Sequence, residues 1–173
     1  MSYWRSKKVL ITGGASFIGS HLVDALLKEE AEIRVADDLS SGKLENIQVH
    51  LDRKEIEFHH LNLNSTENAE RIMRGIQVIF HLAANHGGRG YVELHQAACA
   101  SNFGLDAIIF NKAQEGGVEK VVYASSGCVY PNYLQTDPNQ ELYLTEEMVG
   151  PPYDADNTNG WAKLMGEVTL RGY

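Results

Sequence analysis

Two segments of the chain carry polar side chains at positions suited to catalysis. Ser126 and Cys128 follow the apolar run Val118–Ala124, whose composition predicts a strand. Asn159 and Lys163 lie in a later helical pattern, one helical turn apart, so they share one face. Because active groups in parallel α/β sheets collect where the strands end, we expect these four side chains to converge.

A glycine turn near the start of the sequence predicts a phosphate-binding site. Val9–Ile11 reads as a short buried strand, and Thr12, Gly13 and Gly14 interrupt it. A helical period follows, with one apolar face predicted from Phe17, Ile18, Leu22, Ala25 and Leu26. Gly13 would allow the tight turn and Gly19 the close packing of helix on strand. The free N–H groups of the helix would then face a diphosphate. Such turns also occur as plain connections without a ligand.

Acidic residues end the second predicted strand, Ala31–Ala36. Asp37 can accept hydrogen bonds from both adenosine ribose hydroxyls and would repel a 2′-phosphate, which favours NAD over NADP. Its separation from Gly19 is close to the roughly 20 residues typical of dinucleotide sites. The alternative is that Asp37 is only a turn residue.

The remaining elements alternate between strands and helices. Strands are predicted over residues 56–61 and 77–82, and helices over 65–73, 91–115 and 158–170. Residues 125–157, which include Pro138, are predicted to be mostly irregular. This alternation predicts an α/β fold with a doubly wound parallel sheet. The loop from Asn85 to Gly90 then lies at the topological switch point, where Arg89 either contacts a ligand or is a solvated loop residue.

Composition narrows the classes of partner and compartment. The length of 173 residues suits one domain, and the net charge of −8 disfavours nucleic acid or an anionic membrane as partner. No apolar run approaches membrane-span length, and the N-terminus lacks a secretory signal. The spacing of Cys99 and Cys128 is not that of a metal site, and no metal site is predicted. Two cysteines could not build a disulfide framework, so a reducing, cytoplasmic location is expected.

Five segments together resemble one known family. They are TGGASFIGSHL, DDLSSGK, HLAA, YASSGCVYP and NGWAKLMGE, in that order and at matching spacing. They resemble the N-terminal part of the extended short-chain dehydrogenase/reductases, specifically the NAD-dependent nucleotide-sugar epimerases and dehydratases. The resemblance implies that residues 1–173 form an NAD-binding Rossmann domain, that most of the substrate domain is absent, and that the protein is a homodimer.

The resemblance also implies individual roles. Ser126 would orient the sugar 4-hydroxyl, and Lys163 would bind the nicotinamide ribose and lower the pKa of a catalytic Tyr four residues earlier. Gly88 and Arg89 would contact the substrate with Ser126. The implied NAD-binding residues, besides Lys163, are Gly13, Ser16, Phe17, Ile18, Gly19, Asp37, Asp38, Asn62, Leu63, Leu82, Ala83 and Ala84.

Three positions depart from the family pattern. Asn159 replaces the Tyr, and an amide cannot act as a general base, whose loss typically costs ~10²–10⁴ in rate. Ser16 replaces the middle glycine of the turn, where a left-handed conformation would cost about 1–2 kcal/mol. The added side chain would crowd the diphosphate, although its hydroxyl could donate to it. Asn62 stands where an Asp commonly holds the adenine amine.

Cys128 bears on the reaction type. Together with the GGRG segment, Gly87–Gly90, it resembles the GDP-mannose 3,5-epimerases and, less closely, the GDP-fucose synthases. In those families a Cys at this position moves a proton on the carbon beside a transient 4-keto group. The 4,6-dehydratases instead carry an Asp–Glu pair here, so dehydration is disfavoured. The alternative is that Cys128 is a small buried residue.

Two hypotheses follow. The first is an NAD-dependent nucleotide-sugar epimerase that acts through a 4-keto intermediate and is impaired in this chain by Asn159 and by truncation. The second is a non-catalytic module that binds NAD or mediates dimerisation.

Overall fold

The computed structural model describes residues 2–137, 139 and 141–173, so Pro138 lies outside the described residues. The strands are β1 (Lys8–Thr12), β2 (Glu32–Asp37), β3 (Ile56–His60), β4 (Val78–His81) and β5 (Lys120–Tyr123). The helices are α1 (Phe17–Lys28), α2 (Gln48–Asp52), α3 (Thr66–Met73), α4 (Arg89–Leu94), α5 (Gln96–Cys99), α6 (Ser101–Glu115) and α7 (Asn157–Leu170). Short 3₁₀ turns cover Leu44–Asn46, Gly127–Val129, Asn132–Leu134 and Glu146–Met148.

The five strands form one parallel sheet in the order β3-β2-β1-β4-β5. β1 pairs with β2 on one side, Thr12 opposite Ala36, and with β4 on the other, Thr12 opposite His81. The chain therefore winds outward in both directions from β1, and the predicted doubly wound sheet is confirmed. β1 and β4 are neighbours, which also confirms the predicted switch point at their carboxyl ends.

The chain divides into two compact units. The first contains residues 1–84 and 107–124, which include the whole sheet, and the second contains residues 85–106 and 125–173. The core of the first unit is aliphatic, with Val9, Ile11 and Val35 fully buried. The second unit has a smaller core, in which Val129, Ala155 and Leu164 pack together.

The predicted buried face of α1 is wrong at Phe17, Ile18 and Ala25, which are exposed, whereas Leu22 is half-buried and Leu26 is buried. Phe17 and Ile18 are 77% and 67% exposed, and the buried residues of the helix include Gly19, Val23 and Leu26. The buried face must begin at Gly19 because its Cα is the part of the helix that approaches the glycine turn. The apolar side chains of the first two helical positions therefore point away from the core.

The predicted single helical region over 91–115 is three helices, α4, α5 and α6. The break between α4 and α5 falls at His95, whose backbone angles of φ −121° and ψ 39° are not helical. The predicted cap of α3 is confirmed, because Ser65 Oγ accepts a hydrogen bond from the N–H of Asn68. Residues 125–137 and 141–156 carry only short 3₁₀ turns, as the sequence predicted for this stretch.

His50 provides a pH-dependent stabilisation of the first unit. Its Nε2 lies 2.6 Å from Asp24 Oδ1 on α1, and its Nδ1 lies 2.7 Å from Glu55 Oε2. Burial opposes protonation of the ring, but the hydrogen bonds to Glu55 and Asp24 outweigh it, so the pKa of His50 is raised above 6.5. A raised pKa in the folded state stabilises the fold below the unfolded-state pKa, and this stabilisation disappears as the pH rises through the folded-state pKa.

We therefore predict that His50→Gln destabilises the chain more at pH 5.5 than at pH 8.5, by about 0.5–1 kcal/mol, the range of partly exposed ion pairs. Urea unfolding at the two pH values measures the difference. The control is Asp24→Asn combined with Glu55→Gln, which keeps the ring but should remove the same pH dependence. An equal loss of stability at both pH values in His50→Gln would contradict the assignment.

Candidate functional site

The glycine turn between β1 and α1 has no room for side chains at two positions. Gly13 has φ +70°, and a Cβ there would lie 3.0 Å from the backbone nitrogen of Ala83. A Cβ on Gly19 would lie 2.6 Å from the Cα of Gly14. Glycine is thus required at 13 by backbone conformation and at 19 by the close approach of the helix to the turn.

Thr12 fixes the two strand ends beside this turn. Its hydroxyl oxygen accepts hydrogen bonds from the N–H groups of Leu82 and Ala83, both at 3.1 Å. It lies 2.7 Å from Nδ1 of His81, and both Thr12 and His81 are fully buried. Since the oxygen already accepts two bonds, its own hydrogen is donated to Nδ1. Leu82 and Ala83, two of the predicted cofactor contacts, are therefore held against the turn.

Ser16 is the N-cap of α1. Its φ is −73°, so the cost expected for a left-handed conformation does not arise. Its hydroxyl donates to the carbonyl of Gly13 at 2.6 Å and accepts from the N–H of Gly19 at 3.2 Å. The hydroxyl is thus engaged within the turn. Among the described residues, the N–H groups of Phe17 and Ile18 have no protein acceptor, which leaves two donors at the positive end of a 12-residue helix.

Asp37 at the end of β2 holds the turn from the other side. Its carboxylate accepts hydrogen bonds from the N–H of Ala15 at 2.9 Å and the N–H of Leu39 at 2.8 Å. The residue is 7% exposed. A carboxylate has about four acceptor positions, so two remain for ribose hydroxyls. Asp37 is the last residue of β2 and its carboxylate is engaged by the loop that follows, so its ribose contact stays a prediction.

Asn62, the predicted adenine contact, forms hydrogen bonds within its own turn. Asn62 Oδ1 accepts hydrogen bonds from the backbone N–H of Asn64 at 2.8 Å and from its side-chain amide at 3.1 Å. Leu63 is buried, Ala84 is half-buried, and Asp38 is exposed, with its carboxylate bound to the N–H of Ser40. The acceptor capacity of Asn62 that the prediction assigned to adenine is therefore shared with a turn.

In the second unit, Ser126 and Cys128 lie on a 3₁₀ turn that packs against α7. Ser126 Oγ accepts from the N–H of Cys128 at 3.2 Å, and Ser126 lines a cavity of about 600 Å³. The Cys128 carbonyl accepts from the N–H of Asp156 at 2.9 Å, just before α7. A Cβ on Gly160 would overlap that carbonyl and lie 3.0 Å from the Cys128 Cβ. Half-buried Cys128 is thus held against Gly160, the residue that follows Asn159 in sequence.

Asn159 and Lys163 share a buried face of α7, as predicted. They are 6% and 5% exposed. Asn102 on α6 places its amide nitrogen 3.5 Å from Asn159 Oδ1. Asp106, one turn further along α6 and 3% exposed, interacts electrostatically with Lys163. Burial lowers the pKa of Lys163 below its usual range, and the negative charge of Asp106 partly offsets that effect.

Arg89 is bound by carboxylates. Its Nε lies 2.5 Å from Glu93 Oε1, and its Nη1 forms an ion pair with Asp156 at the N-terminus of α7. The neighbouring Gly88 is the N-cap of α4, and a Cβ there would meet no atom within 4 Å. The structure therefore shows an intramolecular function for Arg89, and its substrate contact stays a prediction.

Within residues 2–137, 139 and 141–173, no group of three or more His, Cys, Asp or Glu side chains is arranged to hold a metal ion. In the same ranges, no helix has the length and apolar character needed to cross a membrane.

Comparison with known families decides the class of protein. Residues 9–173 match the model of the NAD dependent epimerase/dehydratase family. The chain belongs to this family. Its cofactor is NAD, and the resemblance seen in the sequence motifs is confirmed.

The proteins similar to this chain include epimerases of sugar nucleotides. The chain is 31% identical over 176 residues to GDP-mannose 3,5-epimerase 1 of Oryza sativa subsp. japonica, covering 99% of the chain and 44% of that protein. The UDP-glucose 4-epimerase of Thermus thermophilus, solved with NAD, is similar with 30% identity and a TM-score of 0.79. The match covers 96% of this chain and 50% of that one. The chain thus spans about half the length of these relatives.

The turn of the first unit fits the diphosphate of NAD. Gly13 and Gly19 keep the backbone compact, and the N–H groups of Phe17 and Ile18 are available at the helix end. Helix N-termini with free N–H groups bind phosphate through directed donors and the helix dipole. The turn is thus suited to hold a diphosphate, and its contact with NAD stays a prediction.

Three residues with clear positions in these two units were missed by sequence reasoning. Thr12 was read only as a break in the strand, and Asn102 and Asp106 only as part of a helix. The signal for the last two was present in the sequence: their four-residue spacing on α6 equals that of Asn159 and Lys163 on α7. The sequence alone does not show that these two helical segments lie next to each other in the fold.

We predict that Gly160→Ala destabilises the chain by about 1–3 kcal/mol, because the new methyl group overlaps the backbone of Cys128. Gly104→Ala in α6 is the matched control, since a Cβ there meets nothing within 4 Å. Helix propensity alone should make the control more stable by about 0.5–1 kcal/mol. Urea unfolding of both variants measures the contrast, and equal behaviour would disprove the close contact between α7 and the 3₁₀ turn.

Proposed function

We propose that this chain is the NAD-binding part of a nucleotide-sugar epimerase, an isomerase that acts through a 4-keto intermediate. The observation that carries the proposal is the free pair of N–H donors at Phe17 and Ile18, beside a turn in which Gly13 and Gly19 are sterically required. The family supports NAD as the cofactor, and relatives named as GDP-mannose and UDP-glucose epimerases support a nucleotide sugar as substrate.

Within the proposal, Asp37 accepts the adenosine ribose hydroxyls through its two remaining acceptor positions. A 2′-phosphate would place negative charge beside this buried carboxylate, so NAD is preferred over NADP. Lys163 binds the nicotinamide ribose through directed N–H donors. When bound, NAD supplies reversible hydride acceptance, and this chain contributes orientation and hydrogen bonds.

The same proposal assigns Ser126 to the sugar 4-hydroxyl and Cys128 to proton movement on the adjacent carbon. The cavity of about 600 Å³ that includes Ser126 is large enough for a sugar. Asn159 holds the position from which a tyrosine would take the hydroxyl proton in the family pattern. Since an amide has no proton of suitable acidity, turnover by this chain is impaired.

A second candidate function is a module that binds NAD or dimerises without catalysis. It is favoured by the same Asn159 and by apolar side chains exposed on the second unit. Phe103 on α6 and Trp161 and Met165 on α7 are 39%, 38% and 37% exposed. We propose that these residues contribute to a homodimer contact in the cytoplasm, where the free thiols of Cys99 and Cys128 would remain reduced.

NAD binding is tested by calorimetric titration of the chain with NAD and with NADP. We expect NAD to bind at least about tenfold more tightly, equivalent to about 1.4 kcal/mol. Ser16→Gly should tighten NAD severalfold, because it removes a Cβ beside the diphosphate and costs only a few tenths of a kcal/mol in capping. Absence of heat with either nucleotide, in a chain that remains folded, would refute the cofactor proposal.

The catalytic part is tested in a chain extended to the full length of the relatives. We predict that Asn159→Tyr raises the epimerisation rate by ~10²–10⁴, the usual contribution of a general acid–base group. Asn159→Phe supplies the ring without the hydroxyl and is the matched control. If the tyrosine and phenylalanine variants turn over equally, position 159 does not carry the proton transfer.

A further inference from the structure

The second unit contains a group of buried polar side chains on α7 and on the start of α6, residues 101–106. Asn102 and Asp106 on α6 are 0% and 3% exposed, and Asn159 and Lys163 on α7 are 6% and 5% exposed. Each pair is spaced by four residues, which is one helical turn. The amides of Asn102 and Asn159 approach within 3.5 Å, and Asp106 and Lys163, each one turn further along its helix, are close enough to interact electrostatically.

The Asn102 end of this group is held firmly. The Asn102 side chain accepts from the N–H of Asn85 at 2.7 Å and donates to the carbonyl of Asn85 at 2.9 Å. On α7, the N–H groups of Asn159 and Gly160 donate to Oδ1 of Asn157. The approach of Asn102 to Asn159 therefore places the start of α6, residues 101–106, beside α7 within the second unit.

A lysine amine as buried as Lys163 is costly to keep charged. Desolvation disfavours the ammonium form, and a nearby carboxylate favours it. Both effects act on Lys163: burial lowers its pKa, and Asp106 is the charged group that raises it. A protonated amine is needed for Lys163 to offer three N–H donors to a ligand.

The other charged and titratable groups on the elements packed against α7 have partners elsewhere. Arg89 binds both Glu93 and Asp156, and Glu167 accepts a hydrogen bond from Ser125. Tyr91 donates to Asn85, and His95 stacks on the Tyr91 ring. Cys128 on the 3₁₀ turn, Cys99 on α5 and the phenols of Tyr130 and Tyr153 also lie among these elements, and burial raises the pKa of Cys99.

We propose that Asp106 is a positioning residue for Lys163, whose amine it keeps protonated and oriented by supplying a buried counter-ion from α6. The inference rests on the proposed function in one respect, namely that Lys163 is the lysine that contacts the cofactor. The neutral pair offers directed donors without a net positive charge. Such a group suits an uncharged cis-diol, such as a ribose, better than an anion.

The protonation of Lys163 can be measured without any cofactor. In the chain labelled with ¹³C-lysine, the Cε resonance of each lysine shifts as its amine titrates, and Lys163→Met assigns the Lys163 signal. We expect Asp106→Asn to lower the Lys163 midpoint by about one pH unit or more, because only the desolvation effect remains. Asp106→Glu, which retains the carboxylate, should return the midpoint towards that of the unsubstituted chain.

This measurement separates the proposal from a merely structural role. If Asp106→Asn only loosened the unit, Lys163 would become hydrated and its midpoint would rise towards that of exposed lysines, about 10.4. A midpoint that rises, or one that does not change, overturns the proposal.

A double-mutant cycle covers variants that fold poorly. Asp106→Asn leaves a buried amine unpaired and Lys163→Met leaves a buried carboxylate unpaired, so the combined variant should be more stable than the sum of the two losses predicts. Additive losses in urea unfolding would overturn the proposal. Neither experiment uses NAD, so failure of the cofactor titration and failure of this inference are independent outcomes.

Discussion

The parallel pairing of β1 with both β2 and β4 is the constraint on which the first unit depends. It brings three strand ends together at the glycine turn, and the buried hydroxyl of Thr12 then holds the backbone of Leu82 and Ala83 beside that turn. Asp37 performs the equivalent task from β2 through Ala15 and Leu39. The turn is thus shaped by hydrogen bonds from both neighbouring strands, so its free helical N–H groups are fixed before any ligand arrives.

The second unit uses a different means to hold its functional side chains. It has a small aliphatic core, and its polar residues are aligned through facing helices and through Gly160, which lets α7 lie against the Cys128 backbone. Buried polar groups specify an arrangement more sharply than apolar contacts do, because a displaced partner leaves a desolvated atom without its hydrogen bond. This explains how a unit with little apolar burial can keep Asn159 and Lys163 in a defined place.

The sheet and the family could be predicted from the sequence, because strand–turn–helix alternation and the family motifs are each contained in a short stretch of residues. It failed where side-chain direction depends on tertiary contact. Phe17 and Ile18 were assigned to the core because they are apolar, yet the close approach of Gly19 turns them outward. Ser16 was expected to strain the turn, but its hydroxyl caps the helix. Asp106 was missed because its partner is 57 residues away along the chain.

The proposed function assigns cofactor binding and proton transfer to different residues, so one can be lost without the other. The donors of the turn and the amine of Lys163 require only geometry and charge, and both remain present. In the family pattern, the lysine at this position also stabilises a phenolate four residues earlier. Position 159 carries an amide in this chain, so there is no phenolate for Lys163 to stabilise. The counter-ion at Asp106 serves cofactor binding alone, because an amine that is kept protonated by a carboxylate still donates hydrogen bonds to a hydroxyl. Under the proposed function, the residues around Lys163 therefore serve cofactor binding, while the catalytic step lacks a phenol hydroxyl at position 159.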